Sequence, residues 1–191
     1  METSLGSFVV LIRADRAPVT SRAFLALVDD GSFTRHGAFY RTVRKDENDH
    51  GHPKIDVIQG GVQQLPASLR RIEHETTDNT GLRHVNGAVS LARGALGSAT
   101  GAAFFICIGD QPALDAGGDR NGDRQGFAAF GRVIAGMDTV HLIHQSRTRD
   151  AAADGPMQGQ ILEPNIRMAR VVRRIHAEPS VQGECARQGA E

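Results

Sequence analysis

The sequence predicts a mainly β protein, an antiparallel barrel or sandwich with two accessory helices. Three observations lead there. About seven or eight short apolar runs recur at the spacing of sandwich or barrel strands. Only two stretches carry helical periodicity. The strands do not alternate with helices, which argues against a doubly wound parallel sheet.

The elements follow in order. Residues 8–13 (FVVLIR) form the first strand, which Arg16-Ala17-Pro18 breaks. Pro18 suits the first turn of a helix, where a missing N–H goes unnoticed. Val19, Ala23 and Leu27, with Phe24 and Val28 beside them, then mark one apolar face of a helix over residues 18–29. Gly31 can close it in a left-handed turn. Residues 38–44 (AFYRTVR) read as a strand, 45–54 (KDENDHGHPK) as a charged surface loop, and 55–61 (IDVIQGG) as a strand ending on a glycine pair. Residues 65–82 are mixed and polar, an excursion with little regular structure. Residues 86–93 (NGAVSLAR) form a strand entered through an Asn-Gly turn, and 94–101 are a small-residue loop.

The runs 104–108 and 127–133 are strands by length and by aromatic and β-branched content. The loop between them is dense in Gly, Asp, Asn and Pro and too long for a tight hairpin, which suggests a job of its own. Leu114 in that loop, beside the doubled Phe104-Phe105, suggests one wall of an apolar pocket. Residues 136–145 (GMDTVHLIHQ) form the second helix, with Met137, Val140 and Ile143 or His144 inward. A polar loop covers 146–160, and the final strand lies around 166–173. The chain thus reads as one domain over residues 1–175, with 176–191 as a disordered tail.

Composition narrows the function. Lys plus Arg and Asp plus Glu both number 22, so the formal net charge is zero, which argues against nucleic-acid binding by bulk charge. With no Trp and 1 Tyr, base stacking has few candidates. Cys107 sits in an apolar run and Cys185 in the polar tail. They form no disulfide framework, CxxC or zinc set, and Cys107 reads as a buried inert thiol. No apolar run reaches membrane-spanning length, and no basic leader precedes the first one. The expectation is a cytoplasmic protein, or a periplasmic one if a leader was removed.

Several chemistries fail on spacing. Residues 94–100 lack the Lys-Ser/Thr ending of a phosphate loop, and His74-Glu75 lacks a second His at helical spacing. Asp115, Asp119, Asn121 and Asp123 resemble a calcium loop only in composition, because the glycine falls at 122 and no Glu closes it. His50 and His52 are read as solvated, and no Gly-x-Ser-x-Gly elbow is present. What remains is Arg41 inside an apolar strand, and Gln59 on the same strand face as Val57. From spacing alone, Arg41 could be a surface residue, Gln59 an edge cap, and Phe105, Leu114 and Phe127 plain core.

A resemblance separates these alternatives. FYRTVR, VIQGG, HE-x6-LRHVNGAVSLAR, FFICIGDQPALD and QGFAAFGRVIAGMDTV, in that order, resemble the cyclophilin-type peptidyl-prolyl cis-trans isomerases, most closely the bacterial branch. The similarity covers about residues 7–175. Each motif alone is weak, and the ordered set is specific. It implies a closed eight-stranded antiparallel barrel with a helix at each end and a substrate groove on the outside. By motif, Arg41 takes the place of the catalytic arginine and Gln59 that of the groove glutamine. Val57, Phe105, Leu114 and Phe127 match the proline pocket, and Ala92 and Arg93 match positions that contact the peptide backbone.

Some rim positions depart from the pattern. Ala113 stands where eukaryotic members carry Trp, Phe127 where many carry His, Asp56 where a groove aromatic is usual, and Ala102-Ala103 where a polar pair is usual. The expectation is therefore an isomerase of X–Pro bonds that assists folding, with altered peptide preference and weak cyclosporin binding. No cofactor or metal is expected, because the reaction breaks no bond. The expected partners are proline-containing polypeptides, with neither nucleic acid nor membrane, and the expected state is a monomer. The alternative is a proline-peptide binding module or holdase with little catalysis.

Overall fold

The computed structural model describes residues 1–65 and 69–174, so the expected tail and Cys185 lie outside the described residues. In chain order the strands and helices are β1 (Glu2–Thr3), β2 (Gly6–Ser7), β3 (Val9–Ile12), α1 (Pro18–Asp29), α2 (Ser32–His36), β4 (Gly37–Val43), β5 (Val57–Val62), α3 (Thr77–Thr80), β6 (Ala88–Leu91), β7 (Ala103–Cys107), β8 (Ala128–Ala135), α4 (Met137–His144), β9 (Thr148–Arg149) and β10 (Ile161–Arg170). The sheet order is β2-β1-β10-β4-β5-β7-β6-β8-β3, with β9 beside β10. Every pairing is antiparallel. The result is a nearly closed barrel. It has more strands than the eight expected, because β1, β2 and β9 are two-residue pieces.

The interior is lined by alternate residues of these strands. Phe39, Ile58, Phe104, Ile106, Val89, Leu91 and Phe130 belong to one apolar cluster, as the two-residue strand period requires. Gly60 has no side chain for a steric reason. A Cβ there would lie 2.8 Å from the Phe39 ring and 2.8 Å from Met168 Cε. Phe24 of α1 packs on this cluster, its ring 4.9 Å from Phe33, 5.4 Å from Phe104 and 4.9 Å from Phe130.

The two longer helices cover opposite ends of β4. Helix α1 packs through Phe24 on Phe33 of α2, which leads directly into Gly37. Helix α4 ends at the other end of β4, with His144 Nε2 3.1 Å from the Val43 carbonyl oxygen. Helix α1 begins at Pro18 as expected, but Ala17 offers no side-chain cap. Glu75 replaces it, accepting from Val19 N at 3.2 Å and Thr20 N at 2.8 Å. Its negative charge also suits a helix N-terminus. Gly31 takes the expected left-handed conformation, at φ 75°.

Several expectations need adjusting. The buried face of α1 centres on Phe24, Leu27 and Val28 with Thr20 and Ser21, while Val19 and Ala23 are half-buried. The 65–82 excursion contains α3, whose Thr76 side chain caps it by accepting from Asn79 N. The last strand starts at Ile161, not near 166, and the preceding loop holds β9 and a 3₁₀ turn. The β1–β2 hairpin and α2 carry too few residues for a periodic signal.

Candidate active site

The site lies on the outer face of the strands whose inner face makes the core. Register builds it. Arg41 on β4 pairs with Gln59 on β5, Gln59 with Phe105 on β7, and Phe105 with Ser90 on β6. Adjacent strands lie about 4.8 Å apart, so these side chains stand in one row across the barrel wall. The next row is Val43, Val57 and Cys107.

A β-bulge aims Arg41 outward. Phe39 pairs with Gly60, yet Arg41 pairs with Gln59, so Tyr40 is the extra residue. Without it, strand alternation would put Arg41 on the same side as Phe39, inside the barrel. Bulges commonly re-aim side chains in this way.

The Arg41 guanidinium is held on three of its donors. Nε and Nη2 donate to Gln160 Oε1 at 2.9 and 2.6 Å, and Nη1 donates to Gln59 Oε1 at 3.0 Å. Gln59 Nε2 donates to the Tyr40 hydroxyl at 3.0 Å. Gln160 is only 1% exposed and donates to the Asn48 carbonyl at 2.6 Å. An arginine has five N–H donors, so two remain for an acceptor in the pocket. Both hydrogen-bond partners of Arg41 are neutral amides, and among the described residues no carboxylate is in ion-pair contact with it. Burial, and then the nearby Arg120, lower its pKa, but a guanidinium stays protonated at any physiological pH.

Beside Arg41 is a pocket of about 230 Å³, whose apolar wall is Val57, Phe105, Leu114, Phe127, Ala92 and Ile55. Phe127 meets Phe105 edge to face, with ring centres 5.1 Å apart at 87°. All the residues named from the sequence, Arg41, Val57, Gln59, Ala92, Arg93, Phe105, Leu114 and Phe127, line this pocket. Arg93 does so as a strut. It donates to Asp123 at 2.7 and 2.8 Å and to the Gly126 carbonyl at 2.9 and 2.7 Å. Its guanidinium carbon also lies 5.3 Å from the Phe127 ring centre. This contact, chiefly the Arg93 hydrogen bonds, holds the Asp123 carboxyl down to about 2.

Several residues in or beside the pocket, Gln160, Ile55, Val43, Arg120 and Asn121, gave no signal in the sequence. Gln160 lay in an expected loop. Ile55 and Val43 line the wall, and Asp56 turns away, accepting from Lys45 N at 2.9 Å. Arg120 and Asn121 come from the loop before β8. Arg120 donates to Asp49 at 2.9 and 2.8 Å and to the Pro53 carbonyl at 2.7 Å, tying that loop to the 45–54 loop. Burial alone would raise the Asp49 carboxyl. Arg120 and the amides of Gly51 and Ile55 outweigh it and hold the pKa below its ordinary value.

Behind the pocket runs a buried polar chain. Ser90 Oγ lies 3.0 Å from His84 Nε2, and His84 Nδ1 lies 2.7 Å from Asp115 Oδ1. The order mimics a hydrolase triad, but Ser90 is 0% and His84 1% exposed, so no substrate reaches them. The chain supports the wall instead. His84 stacks on Phe105 at 5.8 Å, and Asp115 follows Leu114 directly. Burial would raise the Asp115 carboxyl, and its bonds with His84 lower it further than that.

Comparison with known proteins gives the family and the fold. Residues 1–171 match the family described as cyclophilin type peptidyl-prolyl cis-trans isomerase/CLD. Peptidyl-prolyl cis-trans isomerase A of Dickeya dadantii is 28% identical, covering 91% of this chain and 84% of that protein. Peptidyl-prolyl cis-trans isomerase cyp18 of Streptomyces antibioticus is 31% identical, covering 85% and 93%. A Cryptosporidium parvum cyclophilin-type isomerase, crystallised in the presence of the dipeptide Ala-Pro, shares the fold at a TM-score of 0.63 and 18% identity, covering 92% and 96%. The chain belongs to the cyclophilin-type peptidyl-prolyl cis-trans isomerase family.

Proposed function

We propose that the chain catalyses rotation about X–Pro bonds, with Arg41 as the catalytic residue. The observation that carries this reading is a guanidinium held by two neutral glutamines, with donors to spare, beside an apolar pocket of about 230 Å³. Twisting an X–Pro amide costs about 20 kcal/mol of resonance. In the twisted state the proline nitrogen becomes pyramidal and gains a lone pair. A fixed N–H donor then bonds that nitrogen mainly in the transition state, which is the condition for acceleration. No bond breaks, so no nucleophile is needed.

Val57, Phe105, Leu114 and Phe127 hold the proline ring while the acyl side turns. Gln59 orients Arg41 through Oε1. Ala92 offers its flank to the peptide backbone, and Arg93 keeps Phe127 and the 115–127 loop in place. The substrates are proline-containing polypeptides, and the working state is a monomer. The rim lacks the indole that Ala113 replaces, so cyclosporin binds weakly. Inhibition as strong as in Trp-containing members would refute that statement.

The central test is NMR exchange spectroscopy on an Ala-Pro peptide, with the parent and with Arg41→Ala. The uncatalysed exchange takes tens to hundreds of seconds and gives no exchange peaks. The expected result is peaks with the parent and a loss of roughly 2–4 kcal/mol of transition-state stabilisation in the variant. Peptide shifts without exchange in both proteins would mean a proline-binding module instead.

A further inference from the structure

The charged groups that line the Arg41 pocket are all cations. Arg41, Arg93 and Arg120 line it, and no Asp or Glu does. Two of the three are paired, but with carboxylates that stand outside the lining. Arg93 reaches Asp123 at 2.7 and 2.8 Å, and Arg120 reaches Asp49 at 2.9 and 2.8 Å. Each pair therefore turns its positive end toward the cavity. Asp49 is occupied further, by the amides of Gly51 and Ile55 at 2.9 and 2.8 Å. Arg41 has only Gln59 and Gln160 as hydrogen-bond partners among the described residues. A cleft lined by one sign of charge, with apolar walls, focuses its field on whatever enters.

Asn121 adds a directed donor. It follows Arg120 in the loop before β8 and lines the same pocket. The Arg120 bonds to Asp49 and to the Pro53 carbonyl fix the loop there. The Asn121 carbonyl accepts from Arg124 N at 2.9 Å. The Asn121 side-chain nitrogen is buried and has no hydrogen-bond partner among the described residues. A buried donor without an acceptor is costly, and an acceptor on the substrate relieves that cost. The spare Arg41 donors serve the proline nitrogen in the twisted state, so the acceptor that Asn121 meets belongs to another part of the substrate.

We propose that this site prefers X–Pro segments with an Asp or Glu directly beside the proline, its carboxylate accepting from Asn121 in the positive field of Arg41 and Arg120. A carboxylate answers both features, as a charge-assisted acceptor and as the complementary charge. A neutral carbonyl would meet the donor and gain little from the field. The carboxylate does not change as the amide twists, so it binds ground state and transition state alike. The preference therefore belongs in KM and affinity, with kcat little changed. This inference rests on the isomerase reading of the pocket and names the substrates within it.

The test is chemical-shift titration and NMR exchange spectroscopy of the full chain with two capped peptides, acetyl-Ala-Glu-Pro-Ala-amide and acetyl-Ala-Pro-Glu-Ala-amide. Each is compared with its counterparts carrying Gln or Lys in place of Glu. On at least one side of the proline, Glu should bind roughly two- to fivefold more tightly than Gln, the scale of a partly exposed ion pair, and Lys more weakly than Gln. The Glu-to-Gln ratio should shrink from about 0.01 M to 1 M salt, as the screening length falls from about 30 to 3 Å. Asn121→Ala should reduce the ratio, and Asn121→Asp should reverse the order so that Lys binds more tightly than Glu. Each ratio is taken within one protein, so a general loss of activity in a variant cancels. Equal binding of Glu and Gln on both sides, a preference for Gln or Lys, or a Glu preference that Asn121→Asp leaves intact would overturn the proposal. Exchange peaks with equal affinities would overturn the proposal and leave the isomerase reading standing. Tighter binding of Glu without exchange peaks would do the opposite, and no shifts at the pocket with any of the peptides would overturn both.

Discussion

Phe104 and Phe105 are adjacent on β7 and belong to different regions of the molecule. Phe104 is 0% exposed inside the barrel, with ring contacts to Phe24, Phe33 and Phe39. Phe105, 5% exposed, faces outward and walls the pocket with Phe127. The interior cluster is apolar packing. The outer face mixes an apolar wall with a network of guanidinium, amide and carboxylate groups. Strand alternation separates the two by a single residue. Substitutions on one face should therefore move stability and on the other rate.

The largest effect tests the inner face. Phe104→Ala removes a buried ring from a four-phenylalanine contact set and leaves a cavity. The expected cost is about 3–5 kcal/mol of stability, read as a lower denaturation midpoint. Catalysis per folded molecule should change little. A loss of rate without a loss of stability would break the division between the faces.

A smaller effect tests the outer face. Gln160→Ala leaves the Arg41 fork with one anchor and the Asn48 carbonyl without its donor. An unmet buried polar group costs roughly 1–3 kcal/mol. That cost falls on stability, and the loosened guanidinium should separately lower kcat with KM nearly unchanged, because Gln160 touches Arg41 and is not among the pocket-lining residues. Gln160→Glu keeps an acceptor for Arg41 and should recover part of the rate. Equal losses in both variants, tracking a lower midpoint, would make Gln160 a plain structural residue.

This contrast also explains what the sequence could show. Apolar runs of strand length gave β4 to β8, and the periodicity after Pro18 gave α1, because those signals are local. Val57 and Gln59 share a face by alternation alone. Arg41 needed more. Alternation from Phe39 points it inward, and only the extra residue at Tyr40, set by pairing with β5, turns it out. The resemblance identified Arg41 where periodicity could not. Gln160 and the Glu75 cap of α1 reach their partners across 119 and 55 residues, respectively. No local pattern encodes such contacts.

The smallest effect separates the two faces by acid. Asp49 is a buried carboxylate on the pocket side, and its pKa lies below the ordinary aspartate value because Arg120 and two backbone amides outweigh the cost of burial. Asp115 is depressed in the same sense through His84. A depressed folded pKa stabilises the folded state fully above the unfolded value, about 3.9. That contribution is lost as pH falls through the folded pKa. Below about pH 4, the Arg120–Asp49 tie should therefore weaken. The amides of Gly51 and Ile55, which donate to Asp49 at 2.9 and 2.8 Å, should shift and exchange faster first. The methyl signals of Ile58 and Ile106, packed inside the barrel, should hold to lower pH. If both sets changed together at one pH, the outer wall and the inner core would be a single cooperative unit, and the separation drawn from Phe104 and Phe105 would not extend to stability.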